Sequence, residues 1–121
     1  MKVIIAGGRD FDNKQMINDA MAQLNILVTE IVCGDAAGAD TLGAVWANEN
    51  GIPVKHFPAD WDQYGSAAGP IRNKQMAEYA DYLVAFWDMK SSGTRDMITQ
   101  MQQMGKHGTV VPYEIRNKPQ F

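Results

Sequence analysis

Five short apolar runs, each closed by a turn and separated from the next by a helical pattern, leave this chain little choice of architecture. The first, Lys2-Val3-Ile4-Ile5-Ala6, is almost wholly apolar and rich in β-branched residues, the pattern of a strand buried on both faces. Glu30–Cys33, Pro53–Phe57, Tyr82–Trp87 and Gly108–Tyr113 are the other four. Between them, Met16, Ile17, Ala20, Met21 and Leu24 share one helical face, and Leu42, Val45, Trp46 and Ala47 form the inward face of a second helix that stops near Gly51. Pro70 opens a third helix, and Met97, Ile98, Met101 and Met104 mark a fourth. Strands alternating with helices predict a Rossmann-like, doubly wound α/β domain: a parallel sheet of five strands with four helices. The expected strand order is 3-2-1-4-5, with right-handed crossovers and the topological switch point between the first and fourth strands. Lys55 and His56 put the third strand at the sheet edge. The expected domain is single and spans 1–121, with a polar, loosely held tail from about 114.

Charge narrows the function classes. A net charge of -3 over 121 residues gives no basic field, which argues against nucleic acid and an anionic membrane as partners. Cys33 is the sole cysteine, so it has no internal disulfide partner, and its place at the end of an apolar run predicts a buried thiol. No apolar stretch approaches membrane-spanning length and Met1-Lys2 leads straight into a strand, so a cytoplasmic protein is expected.

In such a sheet, ligands sit beyond the carboxyl ends of the strands at the switch point. Three strand ends carry small residues there. The fourth strand passes through Lys90-Ser91-Ser92-Gly93-Thr94-Arg95-Asp96 into a helix, whose first N–H groups and dipole favour an anion. Gly93 allows close approach, while Ser91, Ser92 and Thr94 either cap the helix or donate to phosphate. The first strand ends at Gly7-Gly8-Arg9, two glycines that leave room for a ligand and a planar cation suited to phosphate. The second ends at Gly34-Asp35-Ala36-Ala37-Gly38, where Asp35 could hold a ribose hydroxyl or a metal. Asp40 reads as a cap or dipole partner of the next helix.

The irregular stretch Pro58–Gly69 carries Trp61 and Tyr64 just before Arg72. Either aromatic could stack on a base; Trp61 could equally anchor the loop to the core. His56 and His107 have no evident partner and read as structural or solvated. The glycine spacing fits neither GxGxxG nor a P-loop, and neither HExxH nor a Cys/His cluster appears, so no structural zinc site is expected.

Gly7-Gly8-Arg9-Asp10-Phe11, Gly34-Asp35-Ala36-Ala37-Gly38-Ala39-Asp40, Asp60-Trp61 through Gly69-Pro70-Ile71-Arg72-Asn73, and Ser92-Gly93-Thr94-Arg95 together resemble the YspA-like branch of the SLOG superfamily. That superfamily includes the LOG phosphoribohydrolases and the DprA DNA-uptake proteins. The resemblance implies a nucleotide or a nucleotide-derived, ADP-ribose-like ligand. It also implies that Arg72, Lys74, Gly93 and Thr94 match the LOG nucleoside-monophosphate site. The LOG catalytic glutamate falls at Met97, which cannot act as a base, so a binder or sensor is favoured over an enzyme. Asp96, about 100° away around the helix, is expected to substitute only if the backbone shifts.

The expected site therefore comprises Gly7, Gly8, Arg9, Gly34, Asp35, Gly38, Trp61, Tyr64, Arg72, Asn73, Ser92, Gly93 and Thr94. Asp35 and Asp96 are the candidate carboxylates of the alternative, a hydrolase cleaving an N-glycosidic or phosphate bond. No cofactor is fixed by the sequence, beyond room for a divalent metal accompanying a phosphate ligand. The methionine face of the fourth helix reads as packing, with a homo-oligomer surface as the alternative.

Overall fold

The two-sided burial predicted for the first strand fixes the layout. In the computed structural model, which describes residues 1–114, β1 (Lys2–Gly7) lies at the centre of a five-stranded parallel sheet. Its neighbours are β2 (Glu30–Cys33) and β4 (Tyr82–Trp87), with β3 (Val54–His56) and β5 (His107–Pro112) at the edges. The order β3-β2-β1-β4-β5 is the expected one. The expected tail lies, beyond Glu114, outside the described residues.

Alternation along β1 builds two cores. Val3 and Ile5 face one side, where they meet Phe11, Ile17, Met21, Ala39 and Ala47 from α1 (Lys14–Gln23), α2 (Ala39–Glu49) and their approaches. Ile4 and Ala6 face the other side, against Met76, Ala77, Met97 and Met101. Those residues belong to α4 (Ala68–Tyr79) and α5 (Ser92–Gln103). Each fully buried large side chain contributes about 1.5–3 kcal/mol, so the inner strands hold both layers in place. Met97 and Met101 are packed in the core, as expected of that face.

Two expectations fail locally. Val45 is 40% exposed rather than inward, because α2 turns Gly43 onto Ile5 and takes its core contacts through Ala39 and Ala47. The stretch 58–69 is not irregular. Asp60 caps a one-turn helix, α3 (Trp61–Tyr64), by accepting from the Gln63 N–H at 3.1 Å. A 3-10 turn, Gly65–Ala67, then runs directly into α4, which starts at Ala68 and makes Pro70 its third residue.

Candidate functional site

The strand order places the ends of β1 and β4 side by side, with α1 leaving toward one face and α5 toward the other. A cavity of about 670 Å³ opens at that divergence. It is lined by the β1 end, the β2–α2 turn, the N-terminal residues of α4 and the first turns of α5. Its size falls within the range of small-molecule sites.

The α5 wall is built for an anion. Ser91 is the N-cap; its hydroxyl accepts from the Thr94 N–H and lies 3.3 Å from the Thr94 hydroxyl, which is buried. Thr94 is thus spent on the cap, while the N–H groups of Ser92 and Gly93 lie in the first turn without an intrahelical partner. A Cβ built on Gly93 would meet nothing within 4 Å, so this backbone is open to the cavity. Upstream, Asp88 accepts from the Ser91 N–H at 2.7 Å and the Lys90 N–H at 2.9 Å, and these two bonds hold its carboxyl below the usual range.

Arg72 and Asn73 tie the other loops to this wall. The Arg72 guanidinium donates through Nη1 to the Gly34 carbonyl and through Nε to Asn73 Oδ1 at 3.1 Å. Asn73, buried, donates to the Gly93 carbonyl at 3.2 Å and to Asp96 Oδ2 at 2.9 Å. One continuous chain of bonds therefore runs from the β2 end through α4 to α5. Asp96 lines the cavity on a regular helix. Asn73 holds that carboxylate on the α4 side of the helix. Met97 also borders the cavity but is 1% exposed and belongs to the core.

The other glycines of the expected site are not open. A Cβ on Gly7 would fall on the Phe86 carbonyl and 2.8 Å from the Ala39 Cβ. On Gly8 it would collide with the Tyr113 hydroxyl, which donates to Asp10 at 2.8 Å. On Gly34 it would lie 2.8 Å from Arg72 Cζ, and Gly38, at φ +75°, presses against the Gly8 carbonyl and Arg9. The Cβ positions are therefore taken by the protein itself, by backbone at Gly7 and Gly38 and by side chains at Gly8 and Gly34. Gly38 does not line the cavity, whereas Gly7, Gly8 and Gly34 do. Arg9 lines it too, exposed, and makes no side-chain hydrogen bond or ion pair among the described residues.

Asp40 is the residue that sequence reasoning undervalued. Its Oδ2 accepts from the N–H groups of both Gly34 and Ala36 at 3.1 Å, in the turn before α2, so it ties down that turn without capping the helix, and it also lines the cavity. Burial pushes its carboxyl up to about 6, against the opposing pull of those N–H groups and of Arg72. Trp61 borders the cavity while 50% exposed, its ring edge near Gly69. Tyr64 shares α3 but lines no part of the cavity.

Asp35 is turned away. At φ +61° it leaves the main cavity and bonds His56 Nδ1, with the Cys33 sulfur 3.5 Å from the same nitrogen. His56 therefore has partners, and a Cys/His/Asp cluster exists; both expectations to the contrary are corrected. Cys33 and His56 are paired residues at the ends of β2 and β3, a lateral register that no local motif reveals. Burial pushes the Cys33 thiol up to about 11, so it is a protonated thiol at neutral pH. His107 starts β5, exposed and far along the sheet from this cluster.

A family model described as YspA, cpYpsA-related SLOG family matches residues 1–64, just over half of the chain. The chain belongs to this SLOG family. Gene 61 protein of Mycobacterium phage D29 is 32% identical, over 86% of this chain and 90% of the phage protein. Among solved structures, DNA processing protein A (DprA) from Streptococcus pneumoniae superposes with a TM-score of 0.75 at 19% identity, covering 94% of this chain. The likeness to DprA is one of fold, and this SLOG chain spans about half of DprA's length (51%). The family match covers the glycine-rich ends of β1 and β2, while Arg72 and Ser92–Thr94 are tied to them by the geometry above. Among the described residues, no helix is long and apolar enough to cross a membrane.

Proposed function

We propose that this SLOG chain binds a nucleotide or nucleotide-derived ligand, of the ADP-ribose class, in the cavity between the ends of β1 and β4. The observation that carries this reading is the α5 wall: open N–H groups at Ser92 and Gly93, facing a cavity whose rim holds Arg9 and Arg72. Phosphate sits against that turn, where the unpaired N–H groups and the helix dipole favour it. Arg9 swings in to pair with it, and Trp61 offers an exposed ring for the base.

A specific observation also favours a second reading, hydrolysis of an N-glycosidic or phosphate bond. Asp96 lines the same cavity and is oriented by Asn73, as a working carboxylate would be.

Calorimetric titration against AMP, ADP-ribose, NAD, ATP and cyclic nucleotides, with each mixture then run on a column, tests both. Binding with intact ligand, weakened about 10- to 100-fold in Arg9→Ala, is the expected result, the loss of one charge-assisted contact. Product that disappears in Asp96→Ala establishes the enzyme instead. Absence of binding to every one of these ligands overturns the nucleotide reading.

A further inference from the structure

We propose that Cys33, Asp35 and His56 form a binding site for a zinc-type divalent metal ion, with three protein ligands and a fourth position open to solvent. The inference does not rest on the nucleotide reading. It rests on three donor atoms, one sulfur, one nitrogen and one carboxylate oxygen, that all lie within 4.8 Å of one another at the ends of two paired strands.

The separations suit a tetrahedral ion. Bonds of about 2.3 Å to sulfur and 2.0 Å to nitrogen set those two atoms roughly 3.5 Å apart. Cys33 Sγ and His56 Nδ1 are 3.5 Å apart. Asp35 now bonds Nδ1 directly, and its side chain is 40% exposed, so one side-chain rotation lets the carboxylate share an ion rather than a proton. The backbone beneath it is held fast, because Asp40 grips the N–H groups on either side, at Gly34 and Ala36. Such outer partners are what orient metal ligands. A mixed sulfur, nitrogen and oxygen set selects zinc or cobalt over magnesium or calcium.

A Cys–His–Asp nucleophilic triad is the competing use of these residues, and the geometry opposes it. In a triad the two imidazole nitrogens divide the work, one facing the nucleophile and one the carboxylate. Here sulfur and carboxylate both address Nδ1, and Cys33 is 1% exposed, out of a substrate's reach. Two donors converging on one side of the ring leave a place for an ion. On binding, Cys33 gives its thiol proton to solvent and His56 moves its ring proton from Nδ1 to Nε2. Asp35 lines a recess of about 320 Å³ shared with Arg9, Trp61 and Arg72, from which water or an anionic oxygen completes the coordination.

Tag-free full-length protein, stripped with chelator, is titrated with Co²⁺ and then with Zn²⁺. The expected result is one Co²⁺ per chain, with tetrahedral d–d bands and a sulfur-to-cobalt charge-transfer band, both lost as Zn²⁺ displaces it. Cys33→Ser abolishes the charge-transfer band. His56→Ala, at an exposed position that leaves the fold intact by circular dichroism, weakens binding beyond the roughly 10- to 100-fold cost of losing an outer partner. His107→Ala binds as the parent does. Saturation with no charge-transfer band, no binding at all, or equal affinity in parent and His56→Ala each overturns the site.

Discussion

The N-termini of α2 and α5 both follow a strand end rich in small residues, and both border the same cavity, yet they are built to opposite purposes. At α2 the chain fills its own space. Gly34 and Gly38 are glycines because Arg72 and the Gly8 carbonyl occupy their Cβ positions, and the loop N–H groups are satisfied by Asp40. At α5 the cap is a single serine, the first N–H groups are left over, and the space beside Gly93 is empty. A glycine in a strand-to-helix turn thus has two unrelated causes, and only the second invites a ligand.

The widest break between the two sides comes from adding one methyl group on the filled side. Gly7→Ala, which belongs to the packed backbone at the β1 end, drives a Cβ into the Phe86 carbonyl and to 2.8 Å from Ala39. Neither neighbour is the end of a flexible side chain, so β1 and β4 must separate. Urea denaturation is expected to show a loss of at least about 3 kcal/mol. A loss below about 1 kcal/mol would mean that the strand ends are loose and the contrast with Gly93 is empty.

Asp40→Asn sharpens the comparison through pH. Its carboxyl lies at about 6 in the folded protein against 3.8 for an ordinary aspartate, so the folded state holds the proton more tightly than the unfolded chain. Its contribution to stability accordingly falls as pH rises between about 4 and 6, and is constant above. The amide keeps an oxygen for Gly34 and Ala36 but has no charge to bury. Relative to the parent, Asp40→Asn should gain roughly 2–3 kcal/mol between pH 4 and pH 8, read from denaturation curves at both. A pH-independent difference would show that the carboxylate is solvated and that α2 is as open as α5.

How much of this could be read from the chain depends on whether the cause was local. Val3 to Ala6 and Leu83 to Phe86 are buried on both faces, a property written directly in their composition, and from it the sheet order and the place of the cavity followed. The one-turn helix at Trp61 was missed because one capping residue, Asp60, makes it, against a local composition of turn formers. The Asp35–His56 contact joins residues 21 apart, just beyond β2 and at the end of β3, and it depends on the register of the sheet. The purpose of each glycine was illegible for the same reason. What fills a Cβ position comes from elsewhere in the sequence: Phe86 for Gly7, Tyr113 for Gly8, Arg72 for Gly34.

Gly93→Ala is the smallest change and the sharpest test of the comparison. It lies two residues past the cap, in a conformation that alanine shares, with nothing for its methyl to touch. Stability should therefore stay level or rise, by up to about 1 kcal/mol, because alanine has less backbone freedom to lose on folding. The methyl group enters the cavity where a phosphate would lie against the turn, so affinity for whichever nucleotide binds should fall at least tenfold, about 1.4 kcal/mol. Opposite signs in stability and affinity are the signature of a glycine kept for a ligand. If both rise, or affinity is unchanged, the anion does not sit at α5, and the helix end is open only because nothing in the fold needed to close it.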